Sequence, residues 1–371
     1  MHAWIELSED SILKNIKNIK YFTKDRIGFV LKANAYGHGL VEFANVLKNN
    51  NYLNNENYLL VQFEEEAEVL NNININRNIL VLSPYLNENF LKNGSAEYLI
   101  YSIDCLKKII DYAKKYNKKF KIHLKFDTGM NRLGIENKNI EECLILLEDN
   151  NRYIDLIAIA THCHHTRIYD TKITIDQSSR FNNIINIFKK KYINLFAHAY
   201  ASGAIDIKNE YNMIRTGSFL YGLYKSPENA IRLKESSSDF ELQGVLALKT
   251  KILQIKYVDI GESIGYGINY VADCIKKIAV IGIGYTDGYN NKLALNGYVV
   301  IKNQYAFVIG VCMGLTIVDI TGLNDISLND EVVIFSKDFE KTSIDYNSNL
   351  LNIVNLSLVS TLNPLLKKIV I

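Results

Sequence analysis

Ile27-Gly28-Phe29-Val30-Leu31-Lys32-Ala33-Asn34-Ala35-Tyr36-Gly37-His38-Gly39 is the stretch on which the fold turns. An apolar run delivers one lysine. A small-residue turn with Tyr36 and two glycines follows, and Leu40 to Leu47 then places apolar residues at helical spacing. This is one strand–turn–helix unit, and it predicts a strand over 27–33 with Lys32 at its mouth. A lysine there is poorly solvated. Burial favours its neutral amine, which is the form Schiff-base chemistry needs. The simpler reading is a strand-end lysine whose ammonium reaches water. The rest of the chain decides between them.

The same unit recurs outward from this stretch. Further strand candidates lie at 58–62, 79–82, 97–102, 121–126, 156–161, 195–199 and 213–216, making eight in all. Helical spacing separates them at 41–47, 64–70, 104–116, 141–147 and 178–189. Eight strands interleaved with helices over 26–220 predict a (β/α)8 barrel, an α/β fold of the TIM type. An open doubly wound sheet competes, but it usually carries a Gly-rich phosphate loop after its first strand, and this chain has none there. Before the barrel, Ser8 reads as an N-cap, with Glu9 and Asp10 in the first turn and Ile12, Leu13, Ile16 and Ile19 on one face. The polar run 225–239, with three serines at 236–238, reads as a break. Beyond it 245–258, 278–284, 297–311 and 331–336 are strand-like and separated by Gly or Asn/Asp turns. The expected division is a barrel over 1–238 and a mostly β domain over 239–371, with the first residues able to pair with the β domain.

The 371 residues are 48% hydrophobic and 22% charged, an ordinary globular balance. A net charge of +2 gives no electrostatic case for nucleic acid or a membrane surface. Five scattered cysteines without a C-x-x-C pair suit a reducing cytoplasm. Met1 to Leu7 lacks the basic start and long apolar core of an export signal, and no apolar stretch is long enough to span a bilayer. The expected location is the cytoplasm.

In a barrel, chemistry gathers at the C-terminal ends of the strands. Lys32 and Tyr36 follow strand one. Lys125, Asp127 and Arg132 follow strand five, and Thr161-His162 end strand six. His198 and Ser202-Gly203 follow strand seven, and Arg215-Thr216-Gly217-Ser218 follow strand eight. The last two ends are where barrels bind phosphate. Small, backbone-exposing residues there, together with a strand-one lysine, suggest pyridoxal phosphate.

Val30–Gly39 closely resembles the pyridoxal-phosphate signature of the alanine racemase family. Asp127-Thr128-Gly129-Met130-Asn131-Arg132-Leu133-Gly134 resembles a second motif of that family. Thr161-His162, His198-x-x-x-Ser202, Asn212-x-x-Arg215-x-Gly217 with Tyr221-Gly222, Gly265-Tyr266-Gly267, Gly282-x-Gly284-Tyr285-x-Asp287-Gly288 and Cys312-Met313 follow in the family's order. The resemblance implies that Lys32 carries the cofactor, pyridoxal 5'-phosphate, and is the base on one face of the substrate. Tyr36, Ser202, Gly217 and Ser218 would bind its phosphate. Arg215 would contact the pyridine nitrogen, supported by His198, and His162 would pack against the ring. Arg132 would reach the cofactor's phenolic oxygen and the substrate carboxylate. Tyr266 would be the base on the opposite face, and it and Met313 would act in the partner's site of a homodimer. Two bases on opposite faces remove and return the Cα proton without turning the substrate over. Lys125 stands where the family often carries a carbamylated lysine; its plainer reading is a lysine paired with a carboxylate.

The implied activity is an amino-acid racemase, most simply interconverting L- and D-alanine for peptidoglycan precursors. A racemase of another amino acid such as serine, a pyridoxal-phosphate decarboxylase and a non-catalytic cofactor-binding relative are the alternatives. The family pattern is broken at Cys163-His164-His165, at Ala201 where asparagine is common, at Ile309-Gly310, at Gly314 where aspartate usually follows Cys-Met, and at the C-terminus. There Pro364 falls near the position of a tyrosine that binds phosphate and narrows the entrance. These breaks bear on substrate choice more than on cofactor binding. His162-Cys163-His164-His165 looks like a ligand cluster, but neighbours on a strand point to opposite faces, so no metal is expected.

Overall fold

The chain opens with strand β1 (Ala3–Leu7) and helix α1 (Glu9–Phe22), and the barrel follows. The computed structural model describes residues 2–23, 26–164, 171–206, 211–267 and 269–371. Ser8 caps α1 as its sequence requires: its side chain accepts from the Ser11 amide. Ile12, Ile16 and Ile19 are buried on one face.

The barrel strands are β2 (Arg26–Val30), β3 (Tyr58–Val61), β4 (Ile79–Val81), β5 (Glu97–Ile100), β6 (Phe120–Lys125), β7 (Ile154–Ala160), β8 (Phe196–His198) and β9 (Met213–Thr216). They pair in parallel in the order β8-β7-β6-β5-β4-β3-β2-β9. A bridge between Ala201 and Arg215 brings the last strand toward β8, so the barrel is nearly closed. Strands covered on both faces bury nearly every residue. Val30, Tyr58, Leu60, Leu80, Leu99, Phe196 and Met213 fill the barrel interior. Phe29, Leu59, Val61, Ile79 and Val81 face the helices in a larger core shared with the second sheet.

The second sheet is built from β10 (Leu246–Val258), β11 (Lys276–Ile281), β12 (Tyr298–Ile301), β13 (Gln304–Val311), β14 (Thr316–Asp319), β15 (Glu331–Phe335) and β16 (Lys367–Val370). β1 lies between β10 and β16 in this sheet, antiparallel to the first and parallel to the second. The long β10 pairs with β1 and β15 along its first half and with β11 along its second, so the sheet curls on itself. Among the described residues no helix is long and apolar enough to cross a membrane.

Two local expectations are corrected. The first strand ends at Val30, because the chain turns left-handed just beyond Leu31. The polar run 225–239 is not a plain break. It holds a helix, Pro227–Ser236, capped by Ser226. The helix buries only a narrow stripe, Asn229 and Leu233, and leaves Ile231 exposed, so its sequence shows little apolar periodicity.

Candidate active site

Lys32 begins a turn rather than ending a strand. Ala33, Asn34, Ala35 and Tyr36 have φ of 55°, 54°, 53° and 50°. Each such non-glycine residue costs about 1–2 kcal/mol, so the turn must be held by its surroundings. Glu66 is one anchor. Its carboxylate accepts from the Asn34 amide (3.1 Å) and the Gln62 amide (2.7 Å). Asn34 is another, its side chain accepting from the Leu40 amide at 2.8 Å. Tyr221 clamps the turn from above. Its hydroxyl donates to the Val30 carbonyl (2.7 Å), and its ring packs on Tyr36 and His38. Gly37 permits the close approach of helix Asn355–Ser360, since a Cβ there would lie 2.0 Å from the Val359 carbonyl oxygen. Sequence reasoning did not single out Glu66, and it named Tyr221 only as part of a motif, without its role as a clamp. The acidic first turn Glu64–Glu66, directly after a barrel strand, is the signal that could have found the carboxylate.

The turn delivers Lys32 into a cavity of about 390 Å³ at the C-terminal mouth of the barrel. Lys32, Lys125, Arg132, Arg215 and Lys225 all line it, and among the described residues no carboxylate does. Such a cavity suits an anionic ligand. The cations also perturb one another. Burial, then Arg132 and Arg215, push the Lys32 amine below its ordinary range, with Glu66 opposing. Burial, then Arg215 and Arg132, bring Lys125 down to about 8. Arg132 is presented by a loop shaped by Asp127, whose carboxylate accepts the amides of Gly129, Met130 and Asn131 at 2.8–3.1 Å. Lys225 was not anticipated from the sequence.

Beside the Lys32 turn, where β9 pairs with β2, the ends of β8 and β9 form a cradle. The Gly217 amide donates to Ser202 Oγ at 3.0 Å. A Cβ on Gly217 would sit 3.2 Å from the Tyr36 hydroxyl, so the missing side chain leaves that hydroxyl open. Ser218 Oγ is buried with no hydrogen-bond partner among the described residues. An orphaned hydroxyl in a native site asks for a ligand. Tyr36, Ser202, Gly217 and Ser218 are thus brought together, and they fit a phosphate.

Arg215 completes the floor. Nη1 donates to His198 Nδ1 (2.5 Å) and to the His198 carbonyl (3.0 Å). Nη2 serves the carbonyls of Thr161 and Ala199, each at 2.7 Å, and His162 Nδ1 at 3.0 Å. All of these bonds leave from the terminal nitrogens, and none of them uses Nε–H. Burial and the Arg215 charge hold His162 and His198 well below the ordinary imidazole range, so both accept as neutral rings.

The chain does not bring Tyr266 or Met313 to this cavity. Both lie on the second sheet's loops, 68% and 56% exposed. Pro364 lines a separate open groove with Asn34 and Glu66, beside the Lys32 turn. His164 is exposed, and His165 lies outside the described residues.

A barrel with a desolvated lysine at strand one, an anion cradle at strands seven and eight, and a second curled sheet defines a class: barrel enzymes that handle a phosphorylated cofactor or substrate. The particular family is set by comparison. The alanine racemase N-terminal domain model matches residues 7–225 and the C-terminal domain model residues 245–370. The chain belongs to the alanine racemase family. It is 32% identical over 361 residues to the alanine racemase of Clostridium perfringens strain SM101, covering 94% of this chain and 88% of the relative. It is 33% identical over 367 residues to that of Methanococcus maripaludis, covering 96% and 95%. Among solved structures, alanine racemase of Clostridium difficile 630 superposes with a TM-score of 0.91 at 28% identity, covering all of this chain and 96% of that one. The alanine racemase of Bartonella henselae, solved with covalently bound pyridoxal phosphate, shares the fold with a TM-score of 0.82 at 23% identity, covering all of both chains.

Proposed function

We propose that this chain interconverts L- and D-alanine with pyridoxal 5'-phosphate as its cofactor, as a cytoplasmic homodimer supplying D-alanine for peptidoglycan precursors. The observation that carries the reading is the pairing of a desolvated Lys32 amine with an orphaned Ser218 hydroxyl in one cation-lined cavity. The bound cofactor supplies an electron sink for charge developing at the substrate Cα.

The chain's own residues do the rest. Tyr36, Ser202, Gly217 and Ser218 hold the phosphate. Arg215 offers Nε–H to the pyridine nitrogen and keeps its proton, because a guanidinium does not readily give one up. His162 packs at the ring, next to Arg215. Arg132 orients the substrate carboxylate, which sets Cα between two bases. Lys32 takes or returns the Cα proton on one face, and Tyr266 of the partner subunit does so on the other, with Met313 of the partner subunit beside it. Exposed apolar side chains support the dimer. Leu253 and Tyr257 are exposed on β10 and Ile260 on the segment that leads to Tyr266, while Tyr285, Met313 and Leu315 sit on two loops joined by backbone hydrogen bonds. Lys125 is carbamylated in this reading. Its amine is crowded by cations and brought down to about 8, and a neutral amine adds carbon dioxide with loss of a proton to leave an anion beside Arg132 and Arg215.

The test is circular dichroism of L-alanine with the purified protein in deuterium oxide. Loss of optical activity with deuterium at Cα is expected. Carbon dioxide release without racemisation would make the protein a decarboxylase, and faster turnover of serine would move the substrate.

A further inference from the structure

Arg215 is 7% exposed, yet no carboxylate among the described residues touches it; its recorded partners are carbonyls and imidazoles. A buried cation without an anion is costly. The anion stands three hydrogen bonds away. His198 Nδ1 accepts from Arg215, and its Nε2 lies 2.9 Å from His123 Nδ1. His123 Nε2 lies 2.9 Å from Glu97 Oε2. Both rings are fully buried in the barrel interior. Glu97 is the first residue of β5, at the barrel end opposite the cavity. It also meets the Tyr58 hydroxyl, and Lys121 Nζ stands 3.7 Å from its other oxygen.

The ends of this row fix its direction. A guanidinium only donates and a carboxylate only accepts, while each neutral imidazole has one donor and one acceptor. Only one arrangement satisfies every contact: Arg215 N–H to His198 Nδ1, His198 Nε2–H to His123 Nδ1, His123 Nε2–H to Glu97. The reverse sets a lone pair against the carboxylate and an N–H against the guanidinium. We infer that Glu97 is the counter-ion of Arg215, acting through a fixed tautomer relay of His123 and His198, and that Glu97 and His123 are positioning residues for the group that meets the pyridine nitrogen. The inference rests on the proposed function for what Arg215 faces. Charges agree with the relay. Burial and the Arg215 charge keep His198 neutral. Burial alone would raise Glu97, but its bonds from His123 and Tyr58 and the charge of Lys121 hold it below the ordinary carboxylate range, and so ionised. With its Nδ1 lone pair locked toward Arg215, His198 stops the guanidinium from rotating out of reach.

The deciding measurement is imidazole 15N NMR on the cofactor-free protein, followed by kinetics of the loaded one. The wild-type protein is expected to show His123 and His198 as neutral Nε2–H tautomers. In Glu97→Gln the neutral amide oxygen can still accept from His123, so the tautomers are expected to hold while the counter-charge is lost. That variant is expected to lose about tenfold in kcat, or about 1.4 kcal/mol at the barrier. KM for alanine should stay within about twofold, because Arg132 holds the substrate. An Nδ1–H or doubly protonated His198 in the wild-type protein overturns the relay, whether or not the variant folds. So does a folded Glu97→Gln with unchanged kcat. Failure of the wild-type protein to bind pyridoxal phosphate refutes the proposed function instead, and leaves the tautomer result standing.

Discussion

Replacing Ser218 by alanine should move the free protein and its cofactor affinity in opposite directions. Ser218 Oγ is buried and has no partner among the described residues. Leaving a hydroxyl desolvated and unpaired costs about 1–3 kcal/mol. Removing it while keeping Cβ therefore leaves the cofactor-free fold as stable as before, or more stable by up to about that amount. The same oxygen faces the phosphate cradle, where a hydrogen bond to a charged group contributes about 1.5–3 kcal/mol. At about 1.4 kcal/mol per decade, Ser218→Ala should weaken pyridoxal phosphate binding by roughly ten- to a hundredfold. Urea unfolding of the cofactor-free protein measures the first effect, and titration of cofactor absorbance measures the second. A variant destabilised by more than about 1 kcal/mol without cofactor, or one with unchanged affinity, would refute the assignment of Ser218 as a phosphate donor held unpaired for its ligand.

Lys125 should bind carbon dioxide with a pH dependence set by its depressed pKa. With the pKa at about 8, about half the amine is neutral at pH 8, against well under ~1% for an ordinary lysine. A carbamate signal in 13C NMR with labelled bicarbonate is expected at pH 8, weaker at pH 6 and absent in Lys125→Ala; equal intensity at both pH values would count against it. The unfolded lysine binds its proton more tightly than the folded one, so uncarbamylated Lys125 destabilises the fold below pH 8, and that penalty fades as pH rises toward the unfolded value. Gly37→Ala and Gly322→Ala both place alanine at positive φ, +83° and +77°. Only the first meets another backbone, so it should cost about 2–4 kcal/mol in urea unfolding and the second about 1 kcal/mol. Equal costs would mean that the contact with Val359 does not hold the Lys32 turn.

Much of the barrel is legible because its strands are buried on both faces. Their apolar runs need no alternation, and each of the eight stretches named in the sequence holds a strand. The end of the first strand was misread for a physical reason. Ala33, Ala35 and Tyr36 rarely take positive φ, and what forces them lies elsewhere in the chain, in Glu66, Tyr221 and the helix packed on Gly37. The helix Pro227–Ser236 did carry a signal, Ser226 followed by proline, but its narrow buried stripe hid it among polar residues. His123 was missed because one polar residue between Ile122 and Leu124 reads as noise in a strand; its meaning comes from Glu97 and His198 on other strands. Lys32, Tyr36, Ser202, Arg215, Gly217 and Ser218 could be placed together in advance because a barrel gathers the ends of its strands at one mouth. Tyr266 and Met313 could be placed only by motif order, since a single chain carries them on its surface.

The central claim is that two bases from different subunits share each site. Co-expressing Lys32→Ala with Tyr266→Phe tests it most directly, because each variant alone should be inactive in racemisation. In a two-fold dimer with shared sites, the mixed dimer has one site lacking both bases and one that keeps both. Random pairing should then restore about a quarter of wild-type racemisation. No activity from an isolated, folded mixed dimer would contradict the account, because it would place Lys32 and Tyr266 in sites built from one chain.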